Sequence, residues 1–204
     1  VWQWNHNPVN EVWSLSERKG LIRFKTDRID TLFTQSRNML TQRTFGPKCN
    51  GSVCLDASGL NDGDVAGLAL LAGQFGYVGV VNEGGKKSIV MVDNMPDGEQ
   101  TGGWPPKRGT QHVVASVPVD ADVVYFKASC DFSRIADDSQ IGSHGVDTAE
   151  FYYSLDGKEW KGIGHTFKMV YMLDHFMGQR YALFYYSTKK AGGHADFDWY
   201  RVNY

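Results

Sequence analysis

The sequence of 204 residues predicts an all-β domain in which two antiparallel sheets pack face to face as a jelly-roll sandwich. About a dozen short runs with strand character recur along the chain, and no helical stripe separates them. Gly-containing turn pairs, such as Asp62-Gly63 and Asp156-Gly157, lie between many of these runs. The composition, with 23 glycines and 13% aromatic residues, is typical of stacked sheets joined by tight turns.

The predicted strands follow one another at short spacing. The first predicted strand alternates strictly: Ile22 and Phe24 alternate with Arg23 and Lys25, which indicates one buried and one solvent-facing side. The segment YSLDGKEW (153–160) predicts a hairpin with its turn at Asp-Gly. No linker divides the chain, so we expect one domain over residues 1–204. The predicted strands are 20–26, 39–45, 51–56, 64–72, 76–81, 88–93, 111–119, 122–129, 148–155, 167–173, 180–187 and 195–202.

Charge and hydropathy disfavour two classes of partner. The chain has 21 Lys and Arg against 23 Asp and Glu, with no run of like charge, so no nucleic-acid partner is predicted. The longest apolar stretch, Val65–Ala72, is too short and too interrupted by glycine to span a bilayer. No membrane partner is therefore predicted.

The sparse cysteines and histidines give no metal or catalytic signature. The odd set of Cys49, Cys54 and Cys130 predicts free, mostly buried thiols rather than a disulfide framework or a zinc site. The 6 histidines are scattered without metal-ligand spacing. No nucleophile elbow, HExxH or phosphate-binding loop occurs. Most acidic residues fall in turns, although a carboxylate pair on a sheet face stays possible.

Five segments, in chain order, resemble one known family: 2–8 (WQWNHNP), 37–47 (RNMLTQRTFGP), 62–80, 149–160 and 174–202. Together they are similar to the C-terminal concanavalin-A-like β-sandwich domain of glycoside hydrolase family 43 (GH43) β-xylosidases and α-L-arabinofuranosidases. Some members of that family are grouped as xylan-binding carbohydrate-binding modules. The resemblance covers essentially the whole chain, and TQRTFGP and GGHADFDWYRV are its most specific pieces.

The resemblance implies a non-catalytic module of a larger glycoside hydrolase. A five-bladed β-propeller precedes this domain in the family enzymes and carries the catalytic acids, so the propeller and xylan or xylo-oligosaccharide are the expected partners. Trp2 and Trp4 share a strand face and would pack against the sandwich or the propeller, with a sugar platform as the alternative. A loop of the family domain contributes a Phe to the propeller's pocket, and Phe176 in DHFMGQR is the candidate. The alternative is that Phe176 caps the sandwich.

A structural calcium near the chain ends is also expected, as in many sugar-binding jelly rolls. Asp196 and Asp198, two residues apart, share a predicted strand face and could supply oxygen ligands, with carbonyls from Asn5 or Asn7. Alternatively, one aspartate faces solvent or pairs with a neighbouring basic residue, Arg201 or His194.

Sugar sites combine an aromatic face with planar polar side chains. Gln42 and Arg43 point to opposite faces of a predicted strand, and either could line a concave sheet. Tyr77 is flanked by glycines that permit close approach of a ligand. Trp104 lies in the Gly- and Pro-rich stretch 95–109, where it could be a platform or a loop anchor.

Three functions therefore compete. The first is a module that binds xylan and lends a loop to the propeller. The second is a structural appendage that stabilises the catalytic domain without binding sugar. The third is a small glycosidase or lyase on the sandwich fold with its own acid pair. The first predicts measurable xylan affinity, the second predicts none, and the third predicts release of reducing sugar by this chain alone.

Overall fold

The computed structural model describes residues 1–96, 109–133, 147–169 and 177–204, and within them fourteen strands form two antiparallel seven-stranded sheets. In spatial order, the first sheet contains β1 (Gln3–Trp4), β4 (Leu40–Arg43), β13 (Arg180–Ser187), β6 (Asp64–Leu71), β7 (Gly76–Glu83), β8 (Lys86–Asp93) and β9 (His112–Pro118). The second contains β12 (Lys161–Lys168), β11 (Thr148–Ser154), β10 (Val123–Asp131), β5 (Lys48–Asp56), β14 (His194–Asn203), β3 (Ile22–Lys25) and β2 (Trp13–Ser14). The predicted two-sheet sandwich is confirmed. No helix in the described ranges is long and apolar enough to cross a membrane.

The main core fills the space between the sheets, and alternation along the strands builds it. In β10, Val124, Phe126 and Ala128 point inward, whereas Tyr125 and Lys127 lie on the outer face. The inward side chains meet those of β6 and β7 from the first sheet. This period-two pattern is the signal that made β10 predictable from sequence.

A second apolar layer covers the outer face of the first sheet. The segment that precedes β4 includes a 3₁₀ turn over Phe33–Gln35, and the Phe33 side chain is 0% exposed. Its ring centroid lies 4.7 Å from that of Phe75, 5.4 Å from Tyr77 and 4.9 Å from Phe184. Because both faces of the sheet are covered here, all eight residues of β13 are buried.

The predicted Asp-Gly hairpin is present between β11 and β12. Asp156 Oδ1 accepts hydrogen bonds from the backbone N–H groups of Lys158 (2.8 Å) and Glu159 (2.9 Å). Gly157 has φ of 71°, a left-handed conformation that favours glycine. The local turn chemistry therefore fixes this connection.

Some elements were misplaced or missed by the sequence prediction. The strand expected at 167–173 overlaps the end of β12, which begins earlier and spans Lys161–Lys168, and residues 170–173 lie outside the described residues. β12 is an edge strand in which only Ile163 and Phe167 are buried, so its sequence carries little apolar signal. β1 and β2 contain two residues each, too few to show any periodicity.

Candidate functional site

Three tryptophans gather where β1, at the edge of the first sheet, meets β2, at the edge of the second. The ring centroids of Trp4 and Trp13 are 5.2 Å apart, and Trp4 also packs against Phe24 at 6.0 Å. Trp2 makes an edge-to-face contact with Tyr200 of β14 at 4.8 Å, and it stays 38% exposed. Both Trp2 and Trp4 thus pack against the sandwich.

These aromatic rings border an open cleft of about 800 Å³ between the two sheet edges. We call it the tryptophan cleft, and its wall includes Trp2, Trp4, Trp13, Leu40, Gln42 and Tyr200. Its volume lies within the usual range for small-molecule sites. The wall is mostly apolar, and Asp198 is its one charged residue in the described part of the chain.

Two of the residues that line the cleft each have a polar atom without a hydrogen-bond partner among the described residues. These atoms are Oε1 of Gln42 and the hydroxyl of Tyr200, and both are buried. Burial raises the pKa of Tyr200 well above its ordinary value, so this hydroxyl keeps its proton. An unpaired buried polar group is unfavourable, and a ligand with hydroxyl groups could supply the missing bonds after a small side-chain rotation.

The other predicted sugar-binding residues do not join Gln42 in the cleft. Arg43 is exposed and lies on the opposite face of β4, where it pairs in register with Arg180 of β13. Trp104 and Phe176 lie outside the described residues. The cleft also contains Trp13 and Tyr200, which sequence reasoning did not select as ligand-binding residues. The cluster of tryptophans near the start of the chain was the available signal.

Tyr77, a predicted ligand-binding residue flanked by glycines, is buried in the structure. Its side chain is 2% exposed, and its hydroxyl lies 3.2 Å from that of Tyr186. Burial raises the pKa of Tyr77 well above its usual value. The physical reason is the Phe33 segment, which lies over the tyrosine ring and leaves no free face for a sugar.

Asp196, a predicted calcium ligand, is instead the centre of an arginine cluster. Its carboxylate is 1% exposed and accepts two hydrogen bonds from Arg23, at 2.7 and 2.8 Å, and one from Arg18 at 2.8 Å. Burial opposes ionisation, but the hydrogen bonds from Arg23 and Arg18 outweigh it and hold the pKa of Asp196 below its usual value.

This arrangement does not fit a calcium site. Both carboxylate oxygens of Asp196 already accept hydrogen bonds from cationic groups, which would repel a divalent ion. Asp198 is exposed at the wall of the cleft and does not join Asp196. Within the described ranges, no group of three His, Cys, Asp or Glu residues could hold a metal ion.

Other buried carboxylates are also engaged by their own neighbours. Asp64 Oδ2 accepts hydrogen bonds from the Tyr185 hydroxyl (2.8 Å) and the Asn61 backbone N–H (2.7 Å). Asp93 lies 2.8 Å from His165 Nε2, and Asp30 pairs with Arg28. None of these contacts brings two carboxylates together across an open cleft, as the acid pair of a glycosidase would require.

The fold places the domain in the class of two-sheet concanavalin-A-like sandwiches, with an aromatic cleft at one edge. Residues 1–203 match the family described as the β-xylosidase C-terminal concanavalin-A-like domain, and the chain belongs to that family. It is therefore an accessory domain of the kind found in GH43 enzymes, as its resemblance implied.

The proteins to which this chain is similar are longer than the chain itself. A β-xylosidase of Formosa agariphila is 29% identical over 225 residues, which cover 100% of this chain and 33% of that protein. A solved bifunctional GH43-CE protein of Bacteroides eggerthii is 50% identical with a TM-score of 0.87, over 100% of this chain and 23% of the other. A GH43 glycoside hydrolase engineered for endo-xylanase and exo-arabinofuranosidase activity is 30% identical with a TM-score of 0.84, over 99% and 38% of the chains. The chain thus spans about a third of the first curated relative.

Proposed function

We propose that this domain is the non-catalytic module of a xylan-degrading GH43 enzyme, and that it binds xylan or xylo-oligosaccharides in the tryptophan cleft. The observation that carries the proposal is the combination of Trp2, Gln42 and Tyr200 at one open cavity. Aromatic rings stack on the C–H faces of sugars, while amides and hydroxyls bond to their hydroxyl groups.

The chemistry of the wall suits a neutral pentose polymer. Trp2 has an exposed ring on which a xylose unit could stack. Gln42 and Tyr200, which also line the cleft, have buried polar atoms that lack partners among the described residues and could bond to its hydroxyls. Two relatives, a β-xylosidase and a GH43 enzyme engineered for endo-xylanase activity, support xylan as the polymer.

The second part of the proposed function is a contribution to the catalytic domain. The family resemblance assigns to Phe176 a place in the pocket of a preceding propeller. In the parent enzyme, we expect Phe176→Ala to change kcat or KM for a xylo-oligosaccharide substrate. Unchanged values of both would contradict this part of the proposal and leave sugar binding by the cleft as a separate question.

Isothermal titration of this chain with xylohexaose and soluble arabinoxylan tests the cleft. We expect saturable heat with a dissociation constant in the micromolar-to-millimolar range. Trp2→Ala should weaken binding at least about tenfold, equivalent to about 1.4 kcal/mol. Trp160→Ala is the matched control, because Trp160 lies under Lys127 outside the cleft. Equal affinity in wild type and Trp2→Ala would show that sugar binds elsewhere.

A purely structural appendage is the second candidate, and the position of the cleft favours it. The cleft borders β1, next to residue 1, and the family domain is C-terminal in longer enzymes. The same apolar wall could therefore pack against the catalytic domain instead of a sugar. Absence of heat with every xylan ligand would favour this candidate.

A further inference from the structure

Arg180, the first residue of β13, is a buried cation that has no carboxylate partner among the described residues. The residue is 7% exposed. Its Nε donates a hydrogen bond to Thr41 Oγ1 at 3.0 Å, and its Nη2 has no hydrogen-bond partner among the described residues. Burial lowers the pKa of Arg180, and the nearby charge of Arg43 lowers it further. A buried guanidinium in such surroundings needs a carboxylate to offset its desolvation.

Other arginines of this domain have carboxylate partners within the chain. Arg18 and Arg23 both bond to Asp196, and Arg28 bonds to Asp30. No such acidic partner meets Arg180 within the described ranges, although it is the least exposed of these arginines. The exception therefore points to an anion that comes from outside this part of the chain.

Arg43 lies directly opposite Arg180 in the antiparallel pairing of β4 and β13. Both side chains lie on the outer face of the first sheet, and Arg43 is exposed to solvent. Two like charges in directly opposed strand positions repel each other. A carboxylate placed between the two arginines would relieve this repulsion and accept a hydrogen bond from Nη2 of Arg180.

The position of this pair, close to β1, favours a carboxylate from a preceding domain. Thr41 Oγ1, which accepts from Arg180, itself donates to the backbone carbonyl of Gln3 in β1. Thr41 thus links Arg180 to Gln3 in β1 through two hydrogen bonds. The family domain is C-terminal, and this chain matches 33% of the Formosa agariphila β-xylosidase, so we place the catalytic domain of such an enzyme before β1.

We propose that Arg180 and Arg43 form a docking site for a carboxylate of the preceding catalytic domain, which they hold against the outer face of the first sheet beside β1. This inference rests on the proposed function, in which the domain completes a GH43 enzyme. The site acts as a positioning device for the two domains. It contributes no group to the reaction.

The test compares Arg180→Met in this chain and in the parent enzyme. In this chain, loss of an unpaired buried cation should leave the melting temperature unchanged or raise it. In the parent enzyme, the same change should lower kcat/KM at least about tenfold, because it leaves the catalytic domain's carboxylate unpaired. Arg43→Met should act in the same direction more weakly, since Arg43 is exposed.

Arg23→Met is the matched control, because Arg23 has its carboxylate within this chain. It should lower the melting temperature of this chain and of the parent enzyme alike. An equal fall for Arg180→Met in this chain would show that an acidic residue of the chain itself pairs with Arg180, and it would overturn the proposal. Normal kcat/KM in the parent Arg180→Met enzyme would overturn it as well.

An acidic polysaccharide is the competing occupant, and titration distinguishes it. Tight binding of glucuronoxylan by this chain, lost in Arg180→Met while neutral xylan binding is kept, would overturn the domain-docking assignment. Phe176→Ala separates this inference from the proposed function. If Phe176→Ala alters the parent enzyme but Arg180→Met does not, only the docking site fails.

Discussion

Gln42 and Arg43 are consecutive residues of β4, yet they belong to two different surfaces of the domain. Gln42 lies at the wall of the tryptophan cleft between the sheets. Arg43 lies on the outer face of the first sheet, opposite Arg180. Because a strand alternates its side chains, one short strand next to β1 takes part in both candidate sites. The edge of the sandwich at β1 is therefore the functional centre of the domain in both proposals.

The first prediction concerns Gln42, whose Oε1 is buried without a partner among the described residues. Gln42→Leu should stabilise the domain by about 1–2 kcal/mol, because it removes an unsatisfied polar group from an apolar wall. The same variant should lose xylohexaose binding, since the amide is proposed to bond to sugar hydroxyls. Urea unfolding and titration measure the two effects.

Gln3→Leu is the matched control for this prediction, because Gln3 is exposed on the neighbouring strand β1. It should change neither stability nor affinity appreciably. A Gln42→Leu variant that is destabilised, or that binds xylohexaose normally, would contradict the assignment of Gln42 to a ligand site.

Alternation and turn chemistry made most of the fold predictable. The pattern of β10 and the Asp156-Gly157 turn are local, so the sequence shows them directly. The burial of Tyr77 was not visible in this way. It depends on Phe33, which is 44 positions earlier and lies in a segment without strand or helix periodicity. Contacts between distant segments leave no local pattern.

The same limit applies to the candidate sites. Gln42 was selected from its own strand, but the cleft requires Trp13 and Tyr200, which come from the second sheet. For Asp196, spacing suggested a metal ligand, whereas long-range pairing with Arg18 and Arg23 decides its chemistry. Residue type and spacing indicate which side chains could bind a ligand or a metal, whereas tertiary packing determines which groups they contact.

The second prediction concerns the Asp196 cluster. Asp196→Asn should destabilise the domain by about 2–3 kcal/mol, less than the 3–5 kcal/mol typical of fully buried pairs, because Arg18 is partly exposed. The pKa of Asp196 is lowered in the folded state, so its contribution is complete above the usual aspartate range. The difference between wild type and variant should shrink as the pH falls through the lowered pKa. Urea unfolding at several pH values measures this.

Calcium removal gives the third prediction. Because guanidinium groups occupy both oxygens of Asp196, EDTA should leave the melting temperature of the domain unchanged. Differential scanning calorimetry with EDTA, calcium or magnesium checks this. A fall in melting temperature with EDTA that calcium alone reverses would restore the original expectation of a calcium site.

The fourth prediction concerns the Phe33 segment, which covers the outer face of the first sheet. Phe33→Ala should destabilise the domain by about 3–5 kcal/mol, because Phe33 is 0% exposed and contacts three aromatic rings. Phe45→Ala is the control: Phe45 is 43% exposed, so a cost below about 1 kcal/mol is expected. Similar losses in the two variants, measured by urea unfolding, would mean that the Phe33 segment does not cover the sheet in solution.

The last prediction concerns the opposite edge of the sandwich, where β8 of the first sheet meets β12 of the second. Asp93 is buried in β8, and one of its oxygens lies 2.8 Å from Nε2 of the half-exposed His165 in β12. This contact joins the two sheets through side chains, so its two partners should be energetically coupled. A double-mutant cycle with Asp93→Asn and His165→Ala should give a coupling of about 1 kcal/mol, reduced by the exposure of the histidine. Additive effects would show that the sheets are held together here by apolar packing alone.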